Sequence, residues 1–215
     1  MNPRDSGALL AATSLYEKAK DYHAAAAMSA FLVEVHPRDG PAHATFGHAL
    51  RLNSEFDRAE GELKRAVEFG VKTPQINEDF ARIYVARKDE RGALPYSQEV
   101  LRLDPKRQDV WYFQGEVAEK AQNPTLAIQS YEQGMALGGV HVVEAGALIR
   151  LYVAAKHADQ AEQLANTQLD TLPPESAPRI ELAAILDDLR QNALALRAWR
   201  RVLEVQPNSE RATPE

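Results

Sequence analysis

The chain has 215 residues, 45% of them apolar and 26% charged, with a formal net charge of −6 and no cysteine. That composition suits a globular chain with enough apolar residues for a core. It excludes a disulfide framework, a thiol nucleophile and cysteine-based zinc sites, and the acidic balance argues against nucleic acid held on a basic surface.

The opening stretch, MNPRDSGALLAATSLYEKAK, lacks the cationic start and long apolar run of a secretory leader. No window approaches the roughly 18 uninterrupted apolar residues of a membrane-spanning helix. A cytoplasmic protein is the expectation, with a periplasmic one whose leader has been removed as the alternative. Residues 1–5 read as a tail.

The rest of the chain is periodic. Steps of 34 residues from Ala25 land on Ala59, Ala93, Ala127, Ala161 and Ala195. Leu15, Ala49, Ile83, Val117, Leu151 and Ile185 form an apolar column, and so do Val33, Val67, Leu101, Met135, Leu169 and Leu203. A further column reads Tyr16, Leu50, Tyr84, Ala118, Tyr152 and Leu186. A closing column holds Pro37, Val71, Pro105, Gly139, Pro173 and Pro207, residues that stop helices. Six repeats follow, over 6–39, 40–73, 74–107, 108–141, 142–175 and 176–209, with a disordered tail expected over 210–215.

Each repeat reads as two helices of about 14 residues joined by a tight turn. The period-two alternation of strands is absent. In the third repeat, Pro95 falls inside the second helix, near enough to its start to be tolerated. In the fourth, Trp111, Gly115 and Ala118 share a helix face, Asn123 suits an N-cap and Pro124 the first helical position. Ala127, Ile128, Tyr131 and Met135 then form the second helix. In the sixth, Leu196, Trp199 and Leu203 give a face expected to be partly open, available to a partner or a second copy. The alanine column has a physical cause, since two helices packed closely need a small side chain where their axes approach. One hairpin cannot bury its apolar face alone, so neighbours stack into a solenoid.

The 34-residue period, the two-helix unit, the small and aromatic columns and the terminal prolines resemble the tetratricopeptide repeat (TPR). Trp111, Gly115, Ala127 and Tyr131 carry the likeness best. Phe46-Gly47, Ala59 and Leu63 carry it in the second repeat, and Phe80-Ala81, Tyr84, Ala93 and Pro105 in the third. Ser29 stands where a bulky residue is usual, and Gln168 where an apolar one is.

The resemblance implies an all-α, right-handed superhelix of six hairpins, with first helices lining a concave groove. It places Ser14, His48, Arg82, Glu116, Arg150 and Ala184 in one inward row. Glu17, Arg51, Val85, Glu119, Val153 and Asp187 form another, and Gln75 and Tyr112 also point inward. His48, Arg51, Gln75, Arg82, Tyr112, Glu116, Glu119 and Arg150 are therefore the candidate contacts for a peptide or partner protein, with Tyr112 as an amphipathic anchor. The row Arg82–Glu116–Arg150 alternates in sign and is equally readable as a ladder of exposed ion pairs. Glu17 and Arg51 read as a surface pair. The basic set with which some arrays clamp a partner's C-terminal carboxylate is missing, since Ser14, Ala44, His48 and Glu78 stand at those places.

The six histidines, His23, His36, His43, His48, His141 and His157, show no metal-ligand spacing and read as surface or helix-end residues. There is no GxSxG and no phosphate-cradling GxxxxGKS/T. The carboxylate pairs Asp187-Asp188 and Glu116/Glu119 read as a solvated face. No catalytic residue, metal or cofactor is expected. The reading is a non-catalytic scaffold, in one version a chaperone or adaptor in bacterial secretion or surface assembly. The alternative is a periplasmic scaffold segment of a polysaccharide- or pilus-assembly protein.

Overall fold

The computed structural model describes residues 5–139, 141–173 and 176–205. The tail expected over 210–215, most of that over 1–5, and Pro207 lie outside the described residues. The chain packs as two compact parts, residues 1–105 and 106–215. The first holds α1 (Ser6–Lys18), α2 (Tyr22–Val35), α3 (Gly40–Leu52), α4 (Phe56–Glu68), α5 (Pro74–Ala86) and α6 (Glu90–Leu103). The second holds α7 (Gln108–Lys120), α8 (Pro124–Ala136), α9 (Val142–Ala154), α10 (Ala158–Thr171), α11 (Ala177–Asp188) and α12 (Asn192–Val205). Among the described residues there is no strand, and no helix is long and apolar enough to cross a membrane.

Short polar residues start many of these helices. Asp21, Asp89 and Asn123 accept from the backbone N–H three residues on, at 3.0, 2.9 and 3.2 Å. Each such bond satisfies a donor with no intrahelical partner. Proline occupies the first turn of α3, α5, α8 and α11, where its missing N–H costs nothing. Pro95 is inside α6, which nonetheless runs unbroken.

Every first helix ends the same way. Lys20, Ser54, Lys88, Gln122, Lys156 and Arg190, one per repeat, are left-handed, with φ between 56° and 64°. The next residue's N–H reaches five residues back in all six, as in Asp21 to the Tyr16 carbonyl at 2.9 Å and Gln191 to Leu186 at 2.8 Å. This is the Schellman arrangement, which normally favours glycine because a Cβ is strained there. Lys88→Gly is therefore expected to stabilise the chain by about 0.5–1 kcal/mol, the relieved strain exceeding the extra freedom of an unfolded glycine. A thermal melt should rise by roughly 1–4 °C; a fall would mean that the Lys88 side chain stabilises the turn by more than its backbone strain costs.

The hairpins are α1–α2, α3–α4 and α5–α6 in one part and α7–α8, α9–α10 and α11–α12 in the other. The alanine column lies at their axes, with Ala25, Ala59, Ala93, Ala127, Ala161 and Ala195 at most 3% exposed. Complementary size fills the neighbouring layer. A Cβ on Gly47 would meet Leu63 Cγ at 2.7 Å, and one on Gly115 would meet the Tyr131 ring at 2.7 Å. Ala81 and Ser97 occupy the same two places in the third repeat and Thr13 and Ser29 in the first, all fully buried. Ser29, unusual for its place, donates its hydroxyl to the Ala25 carbonyl at 2.8 Å, so its burial leaves no unpaired donor.

The reading of all six histidines as surface or helix-end residues needs one correction. His43 is buried, with Nε2 3.1 Å from the Pro37 carbonyl and Nδ1 2.6 Å from Glu62. Arg179, at the corresponding place of the sixth repeat, is also buried and donates Nε to the Pro173 carbonyl at 3.2 Å. Both side chains satisfy a carbonyl at the end of the preceding repeat, a position the helical period alone does not mark.

Candidate functional site

In the N-terminal part, α1, α3 and α5 lie side by side and leave a cleft of about 470 Å³. Leu10, Thr13, Ser14 and Glu17 come from α1, and Pro41, Ala44, Thr45 and His48 from α3. Val71, Thr73, Gln75, Ile76 and Asp79 complete it at and before α5. Ser14, Glu17, His48 and Gln75 belong to the rows expected to face inward.

One end of the cleft is an ordered polar cluster. Asp79 is 1% exposed and accepts from Arg51 Nε at 2.5 Å. His48 Nδ1 lies 2.9 Å from both Asp79 oxygens, and Gln75 Nε2 donates to Oδ1 at 3.3 Å. Asp79 is the functional-site residue that sequence reasoning missed. It lies outside the places the resemblance marks, and its only signal was an acidic residue on an otherwise buried helix face.

The cluster fixes the imidazole. An ionised carboxylate only accepts, so Nδ1 carries the hydrogen. Arg51 Nη2 and Gln75 Nε2 approach the same nitrogen at 3.4 and 3.5 Å, but there donor would face donor, and the shorter Asp79 contacts decide the tautomer. In the neutral ring Nε2 is then the acceptor, and it has no partner among the described residues. Arg51 is thus bound to Asp79 and not to Glu17, which corrects the expected Glu17–Arg51 pair. Glu17 is half-buried in the cleft wall, and its side-chain carboxylate has no hydrogen bond or ion pair among the described residues.

The remaining candidates are more dispersed. Arg82 is exposed and pairs along its own helix with Glu78 at 2.8 Å. In the C-terminal part, Arg150 donates to Glu119 at 3.4 Å and Glu116 is exposed. Within the C-terminal part, Arg150 thus takes Glu119, from the second inward row. Glu119 also accepts from the Tyr131 hydroxyl at 2.8 Å. Burial first, and that bond second, push the Tyr131 hydroxyl far above its ordinary ionisation range.

Tyr112 requires a correction. It is 6% exposed and packs into the space left by Gly134, where a Cβ would overlap its ring. Its hydroxyl accepts from Gln108 Nε2 at 3.1 Å. Burial, with the Glu144 charge second, pushes its pKa up to about 12. It is a core residue of its hairpin and not an anchor held out to a ligand. On the sixth repeat's expected face, Leu196 is 44% exposed, while Trp199 and Leu203 are half-buried.

Comparison with solved structures finds the same architecture elsewhere. Pseudomonas aeruginosa PilF aligns at a TM-score of 0.67 and 16% identity, over 96% of this chain and 95% of its own. MamA from Desulfovibrio magneticus RS-1 aligns at 0.67 and 12%, over 79% and 95%. YrrB, described as a TPR protein with an unusual peptide-binding site, aligns at 0.63 and 17%, over 86% and 95%. No family model and no curated protein matches the sequence. The fold is the tetratricopeptide-repeat fold, an all-α solenoid of helical hairpins.

Proposed function

We propose that this chain is a non-catalytic protein-interaction scaffold that holds a peptide or an extended segment of a partner protein in the cleft between α1, α3 and α5. The cleft itself carries the proposal. It is concave, largely apolar, and bounded at one end by polar groups whose directions are fixed, as ligand sites generally are. The peptide-binding site in the description of YrrB lends weight to the same use of this fold. An adaptor in bacterial secretion or surface assembly, working in the cytoplasm, is the narrower form of the proposal.

The test is affinity capture from native lysate with mass-spectrometric identification, using the native chain and a Ser14→Trp chain as baits. Ser14 is exposed at the cleft wall, so the indole should fill the cleft without entering the core. The expected result is a partner retained by the native bait and reduced at least about tenfold on the variant, the loss that blocking an interface centre produces. Circular dichroism should show equal helicity for both. A partner retained equally by the folded variant would place binding on another face.

A further inference from the structure

We infer that the cleft between α1, α3 and α5 selects a cationic segment: a lysine or arginine side chain flanked by aliphatic residues. The inference rests on the proposed use of this cleft and supplies the chemistry of what enters it.

Two groups set the preference. Glu17, a half-buried residue of the wall, presents a carboxylate with no cation on it among the described residues. His48 presents Nε2 as an acceptor, because Asp79 holds the hydrogen on Nδ1. Both accept, and a guanidinium or ammonium group supplies several donors at once. Among the described residues no lysine or arginine lines the cleft, and Arg51 behind it is bound to Asp79. The Arg51 and Asp79 charges offset each other, so the uncompensated charge is that of Glu17. An anionic segment would lose its hydration there and meet a like charge.

The rest of the wall matches the body of such a segment. Leu10, Pro41, Ala44, Val71 and Ile76 are apolar. They can cover the methylene stem of a basic side chain and an aliphatic neighbour while its charged head reaches the polar groups. The chain's net charge of −6 favours approach of a cation.

The test is fluorescence anisotropy on the full chain with three labelled, end-capped heptapeptides. They differ only in the central residue, which is arginine, its neutral isostere citrulline, or glutamate, between two leucines. The arginine peptide should bind about tenfold tighter than the citrulline one, as charge-assisted bonds exceed neutral ones, and the glutamate peptide should bind weakest. Added salt should shrink the arginine advantage. Glu17→Gln should bring the arginine-to-citrulline ratio to about twofold or less and leave the citrulline affinity unchanged. A glutamate peptide bound as tightly as the arginine one, or a ratio unaffected by Glu17→Gln, would overturn the inference. Absence of binding by all three at about 1 mM would overturn it too. In that case a partner still lost by the Ser14→Trp bait would leave the proposed use of the cleft standing.

Discussion

Gly115→Ala is expected to destabilise the chain by about 2 kcal/mol, although alanine is the better helix former. Helix propensity alone would favour the change by about 1 kcal/mol. Against it, the new Cβ would sit 2.7 Å from the Tyr131 ring. That ring is fully buried and its hydroxyl is tied to Glu119, so it cannot swing aside. Overpacking of this kind costs about 1–3 kcal/mol, and more where the neighbour is fixed. The melting temperature should fall by roughly 4–8 °C. Tyr131→Ser alone should cost about 3–5 kcal/mol through the cavity and the lost hydrogen bond. The two together should cost less than their sum by about 1–2 kcal/mol, because a small pair is the combination that Ala81 and Ser97 form at the same two places in the third repeat. Chemical denaturation of the four chains measures this coupling. Additivity within about 0.5 kcal/mol would show that the two sites relax independently.

The same size matching explains how much of the fold was legible. A core position repeated every 34 residues is constrained by the same neighbours each time, so Ala25 to Ala195 stand out as a column. The turn between the helices was not legible in this way. Its left-handed residue is Lys, Ser, Lys, Gln, Lys and Arg, never the glycine that would announce it. The strain falls on the backbone, and the side chain carries no trace of it. Polar residues with a packing role were hidden for a similar reason. His43 and Arg179 end up at carbonyls contributed by another repeat, a contact that no helical period encodes.

The candidate site was legible by row and not by partner. Ser14, Glu17, His48 and Gln75 were placed on the inward face, and all four line the cleft. Their pairing depends on side-chain reach, which sequence spacing does not give, so Arg51 was assigned to Glu17 when Asp79 is within its reach. Tyr112 failed on a residue in the facing helix. Leu32, Ala66, Val100, Gly134, Gln168 and Val202 recur at one place in the six repeats, and only Gly134 leaves room for a phenol ring. The missing side chain in α8 draws Tyr112 inward. The gap in that column was the available signal.

Asp79 separates the structural role of the polar cluster from its role in recognition. Asp79→Ala should cost about 2–3 kcal/mol, because Arg51, only 14% exposed, loses its carboxylate and His48 its acceptor. Asp79→Asn keeps the shape and should cost about 1–2 kcal/mol. Its consequence for the cleft is larger than that loss suggests. The amide oxygen still accepts from Arg51 Nε, which turns the amide nitrogen, a donor, toward His48 Nδ1. Donor would then face donor, so the imidazole hydrogen should move to Nε2. The ring atom open to the cleft then becomes a donor in place of an acceptor. Nitrogen-15 NMR of the side chain distinguishes the two tautomers directly. The native chain should show hydrogen on Nδ1 and the Asp79→Asn chain hydrogen on Nε2. Hydrogen on Nε2 in the native chain would remove His48 from the acceptor wall and leave Glu17 alone to set the charge preference. The shift on substitution would instead establish that a buried carboxylate, only 1% exposed, fixes the hydrogen-bonding sense of the cleft.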